Sequence, residues 1–576
     1  MTAFDEVLLK RGKVVPRWLE NEDIFWYRQH TAVDKYYFIF VNVQTGNRGH
    51  AFDHDRLASL LQREAGIDAT HDSLPFSSIE IEPDCSSVKF KLQGKEWQFG
   101  PDGELFELRD LEEDEDEEYA SSVDSVSDDD DDEEDGSDGD DEEGGESDNE
   151  EDGGENSSDS DSGHEEGETD QEDEDGFDTS RYPRRRVIVE GNTLWLEEDD
   201  NRKKRISSNG NEENDFDESN IFLSPDENFA VVWQYTPEQE HIVHFVESAP
   251  KDQLQPKLHS NQYLKPGDDV RIDRPRLYNL DTRREVPTRD SLFSNPFELR
   301  NIGWSEDGEE YRFIYNERGH QNLRVLGMDT QGRVRALVSE SSPTFIDYSS
   351  KMYWKVVEDS DELIWASERD GFNHLYLFDM ATGSMTNQIT RGPWNVAKVD
   401  RVDFETRRIW FKGYGLFPDQ DPYYAHLVRV NFDGSDLRVL TGGDGTHRWK
   451  WSPDERYLVD IWSRVDVPPQ VLLRAADNGQ QVMFLEGAPP QELQQGPWNP
   501  PQRFAAYGRD GQTLIYGVII LPPHFDERRS YPVLENIYAG PPDFSTPKAF
   551  TLLETEREWA GLGTSPTGGC RTASPG

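Results

Sequence analysis

The chain has 576 residues, a formal net charge of −59 and 34% hydrophobic residues, enough length for several domains or one large β architecture. That charge argues against nucleic-acid binding, which works by neutralising phosphates with lysine and arginine. No run approaches the ~18 apolar residues of a membrane-crossing helix, and with only Cys85 and Cys570 no disulfide framework is implied.

The N-terminus, MTAFDEVLLKRGKVVPRWLE, lacks the apolar core of a secretory signal. A cytoplasmic protein is therefore expected, with a nuclear one as the alternative, and no membrane partner. Residues 24–28 and 36–43 are rich in aromatic and β-branched residues and predict two strands around a polar turn, closed by Gly46. Residues 52–65 predict a short amphipathic helix. Residues 79–100 return to strands, with Val88, Phe90 and Leu92 alternating. The thirteen histidines are scattered. His50 and His54 come nearest to a metal pair, but they lack a third ligand and are expected on a surface turn; neither a metal nor another cofactor is predicted.

Residues 111–176 hold 37 Asp or Glu and no Lys or Arg, so the rest of the chain carries only −22 of the −59. Such a segment cannot bury enough apolar surface to offset its chain entropy and is expected to be disordered. It interrupts a series of strands and reads as a loop insertion, which closure entropy tolerates. It is either a solvated spacer or a binding segment. Ser121, Ser125, Ser127, Ser137, Ser147, Ser158 and Ser162 each stand three residues before an acid, the pattern an acid-directed kinase recognises.

Two basic clusters follow, at 184–186 and 202–205. They read as a nuclear signal, or as solvated strand faces or partners of the acidic segment. From 187 to 498 the chain is a succession of short strands. Leu323, Leu375 and Leu427 lie in similar segments spaced by 52 residues, and a fixed period of this length without helical pattern predicts four-stranded propeller blades. Ser224-Pro225-Asp226-Glu227, Trp304-Ser305-Glu306-Asp307-Gly308 and Trp451-Ser452-Pro453-Asp454-Glu455 each precede an apolar strand and read as turns. A sandwich is the alternative, disfavoured by the regular period. Periodicity leaves seven and eight blades both open.

Residues 515–521 and 531–537 predict two further strands, separated by Pro522-Pro523 and a charged turn at 526–530. The stretch GVIILPPHFD…YPVLENIYAGPP resembles the entry to the α/β-hydrolase domain of the prolyl oligopeptidase family, dipeptidyl peptidase IV branch, and WASERDGFNHLYLFDMATG (365–383) resembles the propeller of that branch. The resemblance implies an eight-bladed propeller followed by a serine hydrolase domain. It also implies proteolysis of small peptides, a peptide substrate as partner, and Tyr538 as the side-chain oxyanion donor. A homodimer is a further expectation. The expected organisation is propeller over 1–110, acidic insertion over 111–178, propeller again over 179–498, and the start of the hydrolase domain over 499–576. Family members anchor the substrate's ammonium with paired glutamates, and Glu212-Glu213 is the nearest pair by position, within the polar run 207–218.

A serine hydrolase needs a nucleophile on a sharp G-x-S-x-G turn, a histidine and an acid. The chain holds no G-x-S-x-G. Gly303-Trp304-Ser305-Glu306-Asp307-Gly308 and Gly563-Thr564-Ser565-Pro566-Thr567-Gly568 are one residue too long. No histidine follows Tyr538. Residues 551–560 predict a helix, but the Gly/Ser/Thr/Pro string after it replaces an expected buried strand. The sequence thus reads as a truncated domain, inactive as it stands. The alternative function is a non-enzymatic acidic propeller that binds basic partners such as histones.

Overall fold

The computed structural model describes residues 14–19, 23–32, 35–82, 87–110, 185–198, 202–487, 500–522, 525–535, 537 and 546–550. The acidic segment 111–178, Tyr538 and residues 551–560 lie outside them.

Eight antiparallel sheets follow one another along the chain, over residues 17–50, 80–110, 185–207, 215–286, 296–341, 354–388, 395–439 and 446–487, numbered here sheets 1 to 8. Seven have four strands and sheet 3 has three described ones. Within each sheet consecutive strands pair, which short turns between β-branched and aromatic runs favour. Leu323, Leu375 and Leu427 all fall in third strands, Asn322–Asp329, His374–Asp379 and His426–Asn431, and all are buried. The 52-residue period is therefore the step from one blade to the next.

The recurrent Ser-x-Asp segments close the first turns of sheets 4, 5 and 8. In each, the serine hydroxyl donates to the aspartate two residues on, at 2.6 Å, and accepts the amide five residues on: Ser224 from Phe229, Ser305 from Glu310 and Ser452 from Tyr457. The Ser305 hydroxyl and the Glu309 amide hold the Asp307 carboxyl below its usual range. The fourth residue is left-handed, with φ 57° at Glu227, 71° at Gly308 and 58° at Glu455. Glycine takes that conformation freely and glutamate at a cost of about 1–2 kcal/mol.

Shared cores join the sheets face to face. Described clusters span sheets 1 and 2, 3 and 4, 4 and 5, 5 and 6, 6 and 7, 7 and 8, and finally 8 and 1. The last seam joins the first and last sheets of the series: Phe25, Tyr27, Ile39 and Val41 pack on Val459, Val471, Leu473 and Leu485. Glu486 clasps it, accepting Tyr27 OH and Gln29 Nε2 at 2.7 Å each and pairing with Arg48. The fold is thus an eight-sheet β-propeller.

Between sheets 1 and 2 runs the expected helix, His54–Leu60, continued by Leu61–Ala65. Asp53 caps it, accepting the Arg56 amide at 3.0 Å. Leu57, Ala58, Leu60 and Leu61 pack it onto Phe38, Phe90 and Trp97. His54 corrects the surface-turn expectation: it is the first helical residue and is buried.

Past the ring, Gln502–Tyr507 pairs with Leu514–Ile519. Residues 531–535 form no strand, contrary to expectation, and Val533 and Leu534 are exposed. A strand needs a neighbour to take its N–H and C=O groups, and no described segment pairs with them. Among the described residues the basic clusters pair with acids of sheets 3 and 4: Arg185 with Asp281 at 2.8 Å, Arg186 with Glu197, Lys203 with Glu190 and Lys204 with Glu198.

Candidate functional site

Because strands alternate in direction, each sheet's second-to-third turn and its link to the next sheet lie on one rim, here the connection face. Bonds between neighbouring sheets keep this face common: Asn373 N donates to Asn395 Oδ1 at 2.8 Å, and Arg318 reaches the Asp268 carbonyl.

Glu212 and Glu213 lie on this face, in the link from Lys203–Ser207 to Asp215–Leu223. A bridge between Asn211 and Asn214 closes the turn, and the Glu213 amide donates to Asn211 Oδ1 at 2.9 Å. Both glutamates are exposed. Among the described residues neither carboxylate has a hydrogen-bond or ion-pair partner. The next strand begins with a built charge cluster. Arg271 donates to Asp273 at 2.9 Å, pairs with Asp217 and lies 4.1 Å from the Tyr235 ring centre. Burial raises the Asp273 carboxyl despite Arg271. Burial pushes Asp217 the same way, but donors from Asn220 and Arg271 outweigh it and hold that carboxyl below its usual range. Arg271 is thereby committed, while Glu212 and Glu213 remain available to a cation.

Farther round the face, four rings meet. His320 stacks on Tyr348 at 4.2 Å between centroids and meets Phe297 edge-on at 4.7 Å; Phe345 lies 5.8 Å from His320. Phe297 and Phe345 are 41% and 48% exposed, an unusual loss of burial for such rings. His320 is held in the left-handed region, φ 53°, with Nδ1 3.1 Å from Asn316 Oδ1. Spread over 52 positions with no motif, these residues could not be read from the sequence as a group.

The chain beyond the ring returns to sheets 7 and 8. Arg503 donates to Tyr424 OH at 2.9 Å, Lys548 to Asp421 at 2.8 Å, and the Phe550 amide to Ser463 Oγ at 3.1 Å. Tyr538 lies outside the described residues, so its expected role is not placed. Ser305, in the nearest approach to a nucleophile motif, is buried and committed to Asp307 and Glu310. Among the described residues no three His, Cys, Asp or Glu side chains group as metal ligands, and no helix is long and apolar enough to cross a membrane.

A family profile described as "Dipeptidyl peptidase IV (DPP IV) N-terminal region" matches residues 167–469. A probable dipeptidyl-aminopeptidase B of Neosartorya fischeri is 24% identical over 328 residues, covering 52% of this chain and 34% of the relative. Its counterpart in Podospora anserina is 24% identical over 339 residues, covering 55% and 35%. The crystal structure of Porphyromonas gingivalis dipeptidyl peptidase 4 aligns with a TM-score of 0.46 at 13% identity, over 94% of this chain and 69% of that one. The alignments thus span about a third of the length of these curated relatives.

Proposed function

The chain belongs to the family of the dipeptidyl peptidase IV N-terminal region, and from that premise we propose that its propeller receives the free N-terminus of small peptides at Glu212 and Glu213. The observation that carries this is a pair of adjacent exposed carboxylates without partners among the described residues, on the face that also bears the four-ring cluster and receives the downstream chain. A carboxylate 4 Å from an ammonium contributes about 1 kcal/mol in water and about 4 kcal/mol at an effective dielectric constant of 20. Two acids around one ammonium would distinguish a free N-terminus from an acylated one. The open rings of Phe297 and Phe345 would cover apolar side chains.

Catalysis would need groups supplied after the propeller. By resemblance Tyr538 would donate to the oxyanion, a contribution of about 3 kcal/mol for one donor. The 576 residues contain no G-x-S-x-G, so we expect this chain to bind peptide without cleaving it. Titration calorimetry with Ala-Pro peptides tests the reading. Binding should weaken at least tenfold on N-acetylation and in Glu212→Gln/Glu213→Gln. Equal affinity for free and acetylated peptide would refute it. Cleavage of a Gly-Pro reporter, blocked by a fluorophosphonate, would refute the silent-propeller part.

A second reading rests on the acidic segment. Thirty-seven carboxylates within 111–176 favour a basic protein partner such as a histone, with phosphorylation at Ser125, Ser127 or Ser137 adding charge. Its mark would be affinity that falls steeply with salt and disappears on deletion of 111–178.

A further inference from the structure

We propose that His426, packed against His447 in the buried seam between sheets 7 and 8, makes the seat of the downstream chain proton-sensitive: the seat holds while the His426 ring is uncharged and lets go when acid charges it. The two rings are each about 1% exposed, with centroids 4.8 Å apart. They sit where the sheets are tied by main chain: the His447 amide donates to the Ala425 carbonyl at 3.0 Å, and the Ala425 amide to Thr446 Oγ1 at 3.2 Å.

The hydrogen bonds assign a neutral form to His426. His447 Nδ1 donates to Asp460 Oδ1 at 2.8 Å, while its Nε2 has no partner. His426 Nε2 donates to Gln420 Oε1 at 3.0 Å, leaving Nδ1 to accept from the Thr441 hydroxyl at 3.3 Å. A second proton on His426 would displace the Thr441 hydroxyl proton. The charged groups packed against the pair are Asp460 and Arg474, joined at 2.6 Å, which already neutralise each other. Gln420, Thr441, Phe417 and Trp462 are uncharged. Asp444, Asp466, Arg464 and Arg503 pair among themselves at the rim. A proton on His426 would therefore add a charge to a buried seam whose carboxylate, Asp460, already holds Arg474 and His447. Burial first, and His447 second, hold His426 down to about 3. Its neutral form contributes fully above about pH 6.5, and that contribution is lost as the pH falls toward 3.

The same residues carry the seat. Tyr424, which takes Arg503, directly precedes Ala425. Asp421 and the Tyr423 ring hold the Lys548 ammonium, the ring centre 4.8 Å away. Ser463, which takes the Phe550 amide, follows Trp462, whose ring stacks on His447 at 6.1 Å. Movement of the rings thus reaches each of these anchors within a few residues.

Hydrogen exchange by mass spectrometry on the full chain, corrected for intrinsic rates, tests this between pH 7 and 4.5. Protection over 420–426 and 546–550 should fall at least tenfold while that over 310–317 holds. His426→Gln, which keeps a donor toward Gln420 but cannot take a proton, should stay protected at both pH values. Equal wild-type protection at the two pH values, or the same acid loss in the variant, would overturn the proposal. Should the variant lose protection throughout at pH 7, the wild-type profile decides alone: a loss at the seat no steeper than in sheets 5 and 6 overturns it.

Discussion

His54 has both ring nitrogens committed in the neutral state: Nδ1 donates to the Phe52 carbonyl and Nε2 accepts the Phe38 amide, each at 3.0 Å. Burial first, and His50 second, lower its pKa to about 4. Against about 6.5 in the unfolded chain, the neutral ring stabilises the fold by up to about 3 kcal/mol. That contribution is complete above pH 6.5 and is lost as the pH falls through 4. Urea midpoints at pH 7 and 4.5 should therefore separate more in the wild type than in His54→Gln, whose side-chain oxygen can still accept from Phe38 but does not titrate there. An equal separation would remove His54 as the cause. The sequence located the helix but not this role, because no local pattern announces that the amide of Phe38, sixteen residues earlier, needs an acceptor. Glu212 and Glu213 were legible for the opposite reason: adjacent acids in a polar run stay exposed whatever the fold.

At the scale of elements, the 52-residue spacing was legible because successive blades repeat one geometry. Leu375 on His374–Asp379 is fully buried among Ile364, Leu377, Ile389 and Val396. Leu375→Ala should cost about 3 kcal/mol, the lost transfer free energy plus a cavity between sheets 6 and 7; a loss below 1 kcal/mol in urea unfolding would mean that the seam can collapse onto the gap. The hairpin of Ile242–Glu247 and Lys257–Gln262, inserted in sheet 4, was not legible, because its apolar residues do not face a core. Ile242, Phe245, Val246 and Leu258 are between 47% and 69% exposed. Among the described residues this apolar ribbon pairs with no further strand, and such an edge favours pairing with a second copy, so we propose that the expected homodimer would form here. Changing Ile242, Phe245 and Leu258 to Thr should shift sedimentation from dimer to monomer at unchanged Tm. A monomeric wild type, or a variant that still dimerises, would exclude the hairpin.

For the whole molecule the decisive contact is the one that joins its ends. Local propensity shapes each sheet, but nothing local draws sheet 8 to sheet 1, and closing a loop of more than 400 residues has an entropic cost that grows with length. The apolar seam provides the drive and Glu486 the register. Its carboxylate gathers Tyr27, Gln29 and Arg48, and Arg48 Nε in turn donates to Tyr27 OH at 2.9 Å. Burial, reinforced by the Glu486 charge, keeps the Tyr27 phenol protonated as a donor. The sequence could not announce this clasp, since its members are about 450 positions apart and none belongs to a motif. Removing the carboxylate strands three donors at once, and the loss of one partner from a buried charge pair costs about 3–5 kcal/mol. Tyr27→Phe removes the hydroxyl that donates to Glu486 and accepts from Arg48 Nε, about 1–3 kcal/mol together, and leaves Gln29 and Arg48 on the carboxylate. Glu486→Leu should therefore lower stability well beyond Tyr27→Phe. It should also raise hydrogen exchange over both 24–32 and 481–487 together, while sheets 4 to 6 remain protected. If the two variants are equally stable, or if exchange rises evenly around the ring, the clasp is not what keeps the propeller closed.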